Sequence, residues 1–296
     1  MAKIRVLVLG AAGLLGHKLY QILSRRFDVF ATVRQSPSLY SRFGIFDADR
    51  ILGEVDLRCA ENLLEVFAWS RPEVVVNAVG AVKQRLESQD TLLSLEINSL
   101  LPHRLALMCR ARGCRLIHMS TDCVFSGKDG WYNEESVSDA EDPYGRTKYL
   151  GEVQGERTLT LRTSFIGREI ETNHGLLEWF LGQKGQSCRG FSKAIFSGLT
   201  TIALAGLVGE IIDKHRDLSG LFHVSSDPIS KYDLLSLINE IYRLEVRIER
   251  DSGNVCDRSL DSSRFRAATG WRPASWQAMV LQIREDPTAY DIWKKE

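Results

Sequence analysis

Apolar positions along the chain fall into two alternating patterns. KIRVLVL (3–9) and EVVVNAVG (73–80) are continuous apolar runs, the signature of strands buried on both faces. DVFATV (28–33), RLIHMS (115–120) and LTLRTS (159–164) read as further strands. Between them the period lengthens. Leu14, Leu15, Leu19, Ile22 and Leu23 mark a first helix, and further helices are predicted near 60–69 and over 88–112. Strands alternating with helices imply an α/β fold with a doubly wound parallel sheet. After about residue 166 the pattern changes. Helices are predicted at 175–182, 200–214, 230–243 and 275–284, with short strands at 221–225 and 245–249. That reads as a smaller α+β lobe. The division is therefore 1–166 for a Rossmann-type domain and 167–296 for a second lobe, placed to cover the carboxyl edge of the sheet where ligands bind.

The strand–helix junctions carry the candidate chemistry. GAAGLLG (10–16) joins the first strand to the first helix. Gly10 permits the tight turn, Gly13 lets backbone approach a pyrophosphate, and Gly16 allows close helix–strand packing. Leu14 and Leu15 complete this turn. An NAD site usually has a carboxylate at the end of the second strand; ATVRQS (31–36) has Arg34 there instead. A guanidinium suits the 2′-phosphate of NADP(H).

STDCVF (120–125) follows the strand at 115–120, and PYGRTK (143–148) sets Tyr144 and Lys148 four residues apart, on one helical face. Thr121 can donate to a substrate carbonyl, and Tyr144 can protonate the same oxygen. Lys148 can bind a nicotinamide ribose and lower the tyrosine pKa. Asn98 could hold a water behind the lysine.

Composition narrows the function classes. Lys and Arg total 38, as do Asp and Glu, so no net charge argues for nucleic acid or an anionic membrane. No apolar run approaches the roughly 18 residues of a membrane span. Six cysteines without CxxC spacing point to a reduced cytoplasmic protein without a metal site. A homodimer is compatible with the sequence.

These motifs together resemble the extended short-chain dehydrogenases/reductases, over nearly the whole length: GAAGLLG, NAVG (77–80), STDCVF, Tyr144 with Lys148, and RTSFIG (162–167). Within that superfamily the chain is most similar to the dTDP-4-dehydrorhamnose reductase family, through STDCVFSGKDGWYNEES, EDPYGRTK, GLFHVSSDPISKYDLL and LDSSRFRAATGWRPASW. The resemblance implies reduction of the 4-keto group of a nucleotide-activated 6-deoxysugar. It implies adenine contacts from Asp56 and Leu57, cofactor contacts from Ala78 and Val79, and a return of the segment near 195–225 to the cofactor domain. Asp122, Lys193 and Phe196 are substrate-side candidates beside Thr121.

Cys123 stands where those reductases usually have tyrosine and the related dehydratases have glutamate. GDP-fucose synthase, also similar, has a cysteine there and a histidine matching His174. Cys123 and His174 could thus exchange protons beside the ketone, giving an epimerase–reductase. A structural reading leaves Cys123 a small buried hydrophobe and His174 a helix-start residue. A third reading is a regulatory NADP-binding subunit, like the β subunit of methionine adenosyltransferase. Lys83, Gln84 and Arg85 could reach a diphosphate, or form a solvated cluster. Trp131 and Tyr132 could stack on substrate or anchor their loop. Arg162 could meet phosphate or sit in an ion pair.

Overall fold

A computed structural model describes residues 2–81 and 90–294. Lys83, Gln84 and Arg85 lie outside the described residues. Seven parallel strands form the main sheet: β1 (Arg5–Leu9), β2 (Asp28–Thr32), β3 (Ile51–Leu52), β4 (Val74–Asn77), β5 (Arg115–Met119), β6 (Thr158–Arg162) and β10 (Gly220–His223). Their order is β10-β6-β5-β4-β1-β2-β3. The order reverses between β1 and β4, which opens a crevice beyond their carboxyl ends. This is a Rossmann-type sheet.

Helices cover both faces. On one side α1 (Gly16–Leu23) packs against α7 (Thr201–Lys214), over Val6, Val8, Val76 and Ile117. On the other lie α2 (Ala60–Ser70) and α4 (Leu101–Arg112), over Leu7, Leu9, Val75 and Leu116. Apolar residues on both faces of each strand explain the continuous runs in the sequence.

The chain leaves the sheet after β6 and comes back. β7 (Phe165–Ile166) pairs β9 (Leu199–Thr200), then α7 and β10 rejoin the main layers. A three-stranded sheet of β8 (Ser187–Phe196), β11 (Ile229–Ser230) and β12 (Arg247–Asp257) forms the second lobe, with α8 (Lys231–Tyr242) packed on β8. The short α6 (Leu176–Leu181) and α9 (Ser263–Thr269), then α10 (Trp276–Arg284) and α11 (Tyr290–Trp293), complete it. β8 and the full length of β12 were not visible in the sequence pattern.

Two local features set the site. The predicted helix over 88–112 is interrupted. A short α3 (Thr91–Ser94) runs into a π-helical turn at Leu95–Leu100 before α4. Asn98 in that turn is fully buried; its amide pairs with the backbone of Ala81, at 2.9 and 3.1 Å, and donates to Thr147 Oγ1 at 3.1 Å. These side-chain bonds hold the wider turn. α5 (Pro143–Leu150) starts at Asp142, whose carboxylate accepts from Gly145 N at 3.0 Å, with Pro143 in the first turn.

Candidate active site

Gly10 adopts φ +77°, a conformation natural to glycine. A Cβ on Gly10 would lie 2.9 Å from Val79 Cγ2, and one on Gly16 would lie 2.1 Å from Gly10 O. Side chains are therefore excluded at Gly10 and Gly16, and Val79 closes one side of the turn. That cradle fits a dinucleotide pyrophosphate. Leu15 is buried in the core, while Gly13, Leu14, Ala78 and Val79 stay partly accessible. Arg34 is exposed at the end of β2.

The Asp56 carboxylate is turned to Arg58 Nε and Nη2, at 2.9 and 2.7 Å, and that guanidinium holds it below the usual carboxylate range. Leu57 is buried beside Leu63 and Phe67. Both sides of this stretch are thus engaged within the chain.

Thr121 lies two residues past β5 and caps a short turn, its Oγ1 accepting from Cys123 N at 3.1 Å. Tyr144 lies in the first turn of α5. Burial pushes its phenol well above its ordinary pKa, and a hydrogen bond with the Thr121 hydroxyl opposes the shift. Lys148, one turn on, is buried, and its Nζ donates to Met119 O at 2.6 Å. Burial lowers Lys148 to about 8, with Glu152 pulling the other way. The sequence suggested that Lys148 depresses the Tyr144 pKa. In this structure desolvation of the phenol dominates instead.

Asn98 does not simply back the lysine. It fastens Ala81 to Thr147, and a Cβ on Gly151 would lie 1.8 Å from Asn98 O, so α5 sits tightly on the π turn.

Asp122 is buried and pushed up by desolvation. Cys123 Sγ accepts from Arg258 Nη1 at 3.4 Å, while Arg258 Nε donates to Phe125 O at 2.8 Å. Burial pushes the Cys123 thiol up to about 12. His174 is exposed, with its backbone N–H on Glu169 Oε2 at 2.9 Å. Phe196, a substrate-side candidate, is buried in the main core against Trp276, ring centroids 5.4 Å apart. Lys193 is exposed earlier on the same strand. Trp131 is exposed, whereas Tyr132 stacks on Phe125 at 4.1 Å and anchors its loop.

Two residues were missed. Arg258 reaches the centre from the second lobe with no local signal. Glu152 follows Lys148 by four residues, a helical spacing that could have flagged it. Its carboxylate accepts from Arg162 Nε and Nη2, both at 2.7 Å, and from Ser120 Oγ at 2.7 Å. Arg162 is therefore a buried ion-pair partner.

The family of the RmlD substrate binding domain matches residues 4–285. The chain belongs to this family. Among relatives of this RmlD-type chain, the spore coat polysaccharide biosynthesis protein SpsK of Bacillus subtilis is 27% identical, covering 97% of this chain and 99% of its own. A dTDP-4-dehydrorhamnose reductase of Aggregatibacter actinomycetemcomitans is 24% identical, over 95% and 98%. The crystal structure of dTDP-4-dehydrorhamnose reductase from Bacillus anthracis, solved with NADP, shares the RmlD-type fold with TM-score 0.78 and 20% identity, over 96% and 99% of the two chains. Among the described residues no helix is long and apolar enough to cross a membrane, and no cluster of three or more His, Cys, Asp or Glu side chains could hold a metal ion.

Proposed function

We propose that this chain is an NADP(H)-dependent reductase of the 4-keto group of a nucleotide-activated 4-keto-6-deoxysugar. The observation that carries the reading is the hydrogen bond between Thr121 and Tyr144, with Lys148 one turn on held by Met119 O, at the same carboxyl edge of the sheet as the glycine turn after β1. The full-length similarity to a dTDP-4-dehydrorhamnose reductase supports it.

The Gly10–Gly16 turn would hold the pyrophosphate, Arg34 the 2′-phosphate and Lys148 the nicotinamide ribose. NADPH, when bound, supplies the two electrons and hydrogen that reduce the ketone carbon. Tyr144 gives its phenolic proton to the ketone oxygen, and Thr121 donates a hydrogen bond to that oxygen. Lys148 is charged at neutral pH and stabilises the tyrosinate left behind. Asn98 keeps α5, and hence both side chains, in register. Arg258 is a cation at the centre from the second lobe, and a diphosphate is the natural charge for it to meet.

The epimerase reading finds less support. A thiol pushed up to about 12 is protonated at neutral pH and is a poor carbon base. Its partner candidate His174 faces solvent.

The test mixes protein, NADPH and a panel of nucleotide-linked 4-keto-6-deoxyhexoses in D₂O. Loss of NADPH absorbance with no enzyme-dependent carbon-bound deuterium is the expected result. One or two enzyme-dependent deuterons, lost in Cys123→Ser, would establish epimerisation with reduction. Binding of NADPH without turnover across the panel would favour a regulatory subunit. Equal dissociation constants for NADPH and NADH would remove Arg34 from its role.

A further inference from the structure

The last described segment, 286–294, is threaded back onto the first helix. Lys18 pairs with Asp286 and donates to Thr288 Oγ1 at 2.9 Å, with both charged side chains buried. One residue earlier, His17 is fully buried. Its Nδ1 lies 2.9 Å from Gly13 O and its Nε2 lies 2.6 Å from Tyr290 Oη. A carbonyl only accepts, so Nδ1 carries the proton, and the Tyr290 hydroxyl donates to Nε2. Burial lowers His17 to about 4, which keeps the ring neutral and preserves this order of donors.

Gly13 O is the carbonyl at the centre of the glycine turn. The chain Tyr290–His17–Gly13 therefore holds it back toward the helix. The same segment grips two other parts of the molecule. Trp293 packs edge-on against Phe43, centroids 4.9 Å apart, in the stretch that follows Arg34. Asp291 accepts from Arg168 Nη2 at 2.5 Å, and Arg168 Nε donates to Glu178 Oε1 at 2.7 Å. Lys294 bonds Asn173 at 2.8 Å. The segment so joins the glycine turn to the stretch entering α6.

We propose that residues 286–294 form a clamp that sets the glycine turn for dinucleotide binding, with Tyr290 as a positioning residue acting through His17. This rests on the dinucleotide reading of the turn. The clamp also links cofactor affinity to the 168–178 stretch of the second lobe.

Tyr290→Phe removes only the hydroxyl and keeps the ring against His17 and Arg168. His17 Nε2 then loses its donor in a buried place. The expected result is a Kd for NADPH raised about tenfold, by tryptophan quenching or calorimetry. The change should appear in KM for NADPH more than in kcat. A Kd within twofold of the parent would overturn the proposal. Amide hydrogen exchange on the unaltered protein gives an independent test, free of folding defects in the variant. NADPH should slow exchange both at 10–17 and at 286–294. Protection at 10–17 alone would overturn the clamp while leaving the dinucleotide site intact. Protection at neither would overturn the dinucleotide reading, and the clamp with it.

Discussion

Glu152→Gln removes one negative charge from behind the proposed reaction centre and changes almost nothing in shape. The side chains of Glu152 and Arg162 are each only 5% exposed. The carboxylate takes two Arg162 bonds and one from Ser120, all at 2.7 Å. Glutamine keeps one acceptor and turns an NH₂ group toward either the guanidinium or the serine. Arg162 is then a buried cation facing no carboxylate, with at most one glutamine acceptor and His223 Nε2 at 3.2 Å as polar contacts. Removing one partner of a buried pair costs about 3–5 kcal/mol, a large share of the roughly 5–15 kcal/mol that holds a folded domain. At roughly 2 °C per kcal/mol for a large domain, the melting point should fall by about 6–10 °C. Urea unfolding followed by circular dichroism measures the loss directly, provided the m-value is unchanged. Adding Arg162→Met should restore much of it, because no charge is then left unpaired. A single variant within about 0.5 kcal/mol of the parent would refute the reasoning. The substitution also reaches function. Ser120 precedes Thr121, and the Glu152 charge raises the Lys148 pKa. Without it, Lys148 should lose its proton at lower pH.

The remaining predictions concern the same helix. With Lys148 lowered to about 8, kcat/KM for NADPH oxidation should fall as pH rises through about 8, and a profile flat from 7 to 9.5 would contradict the role given to its charge. The stability sign is opposite. Because the unfolded chain holds this proton more tightly, the penalty of burying the cation is full below pH 8 and is relieved as pH rises from there toward 10.5. Gly151→Ala would place a Cβ 1.8 Å from Asn98 O, so α5 must shift off the π turn. A stability loss of about 1–3 kcal/mol is expected by calorimetry, with kcat reduced as Tyr144 and Lys148 move; an unchanged kcat would separate the π turn from the reaction centre.

Much of the fold was legible because buried parallel strands and amphipathic helices write their periods into the chain. β1, β2, β4 and β5 fall within their predicted runs, and β6 begins one residue before its own. β8 (SCRGFSKAIF) was not legible: it is polar, only partly buried, and carries Gly190 in its middle. β12 holds Ser252, Gly253 and Asn254 where its pairing with β8 shifts register, so its sequence reads as a loop. At the site, the glycine turn and the Tyr144–Lys148 spacing were visible as local patterns. An aromatic residue near a crevice and one in a core look alike in sequence, and only the structure shows Phe196 packed on Trp276.

Sequence by itself determined the parallel α/β layering, the side-chain-free turn after β1, and the placing of Tyr144 and Lys148 one turn apart on a helix, since each depends on neighbours within a few residues. Tertiary structure alone decided which distant polar groups meet. Arg258 reaches Cys123 across 135 positions, and Tyr290 reaches His17 across 273. No local period encodes such pairs. It also decided the state of the ionisable groups, because a phenol, a thiol and an ammonium take their pKa from the water that folding removes, and that burial belongs to the assembled molecule.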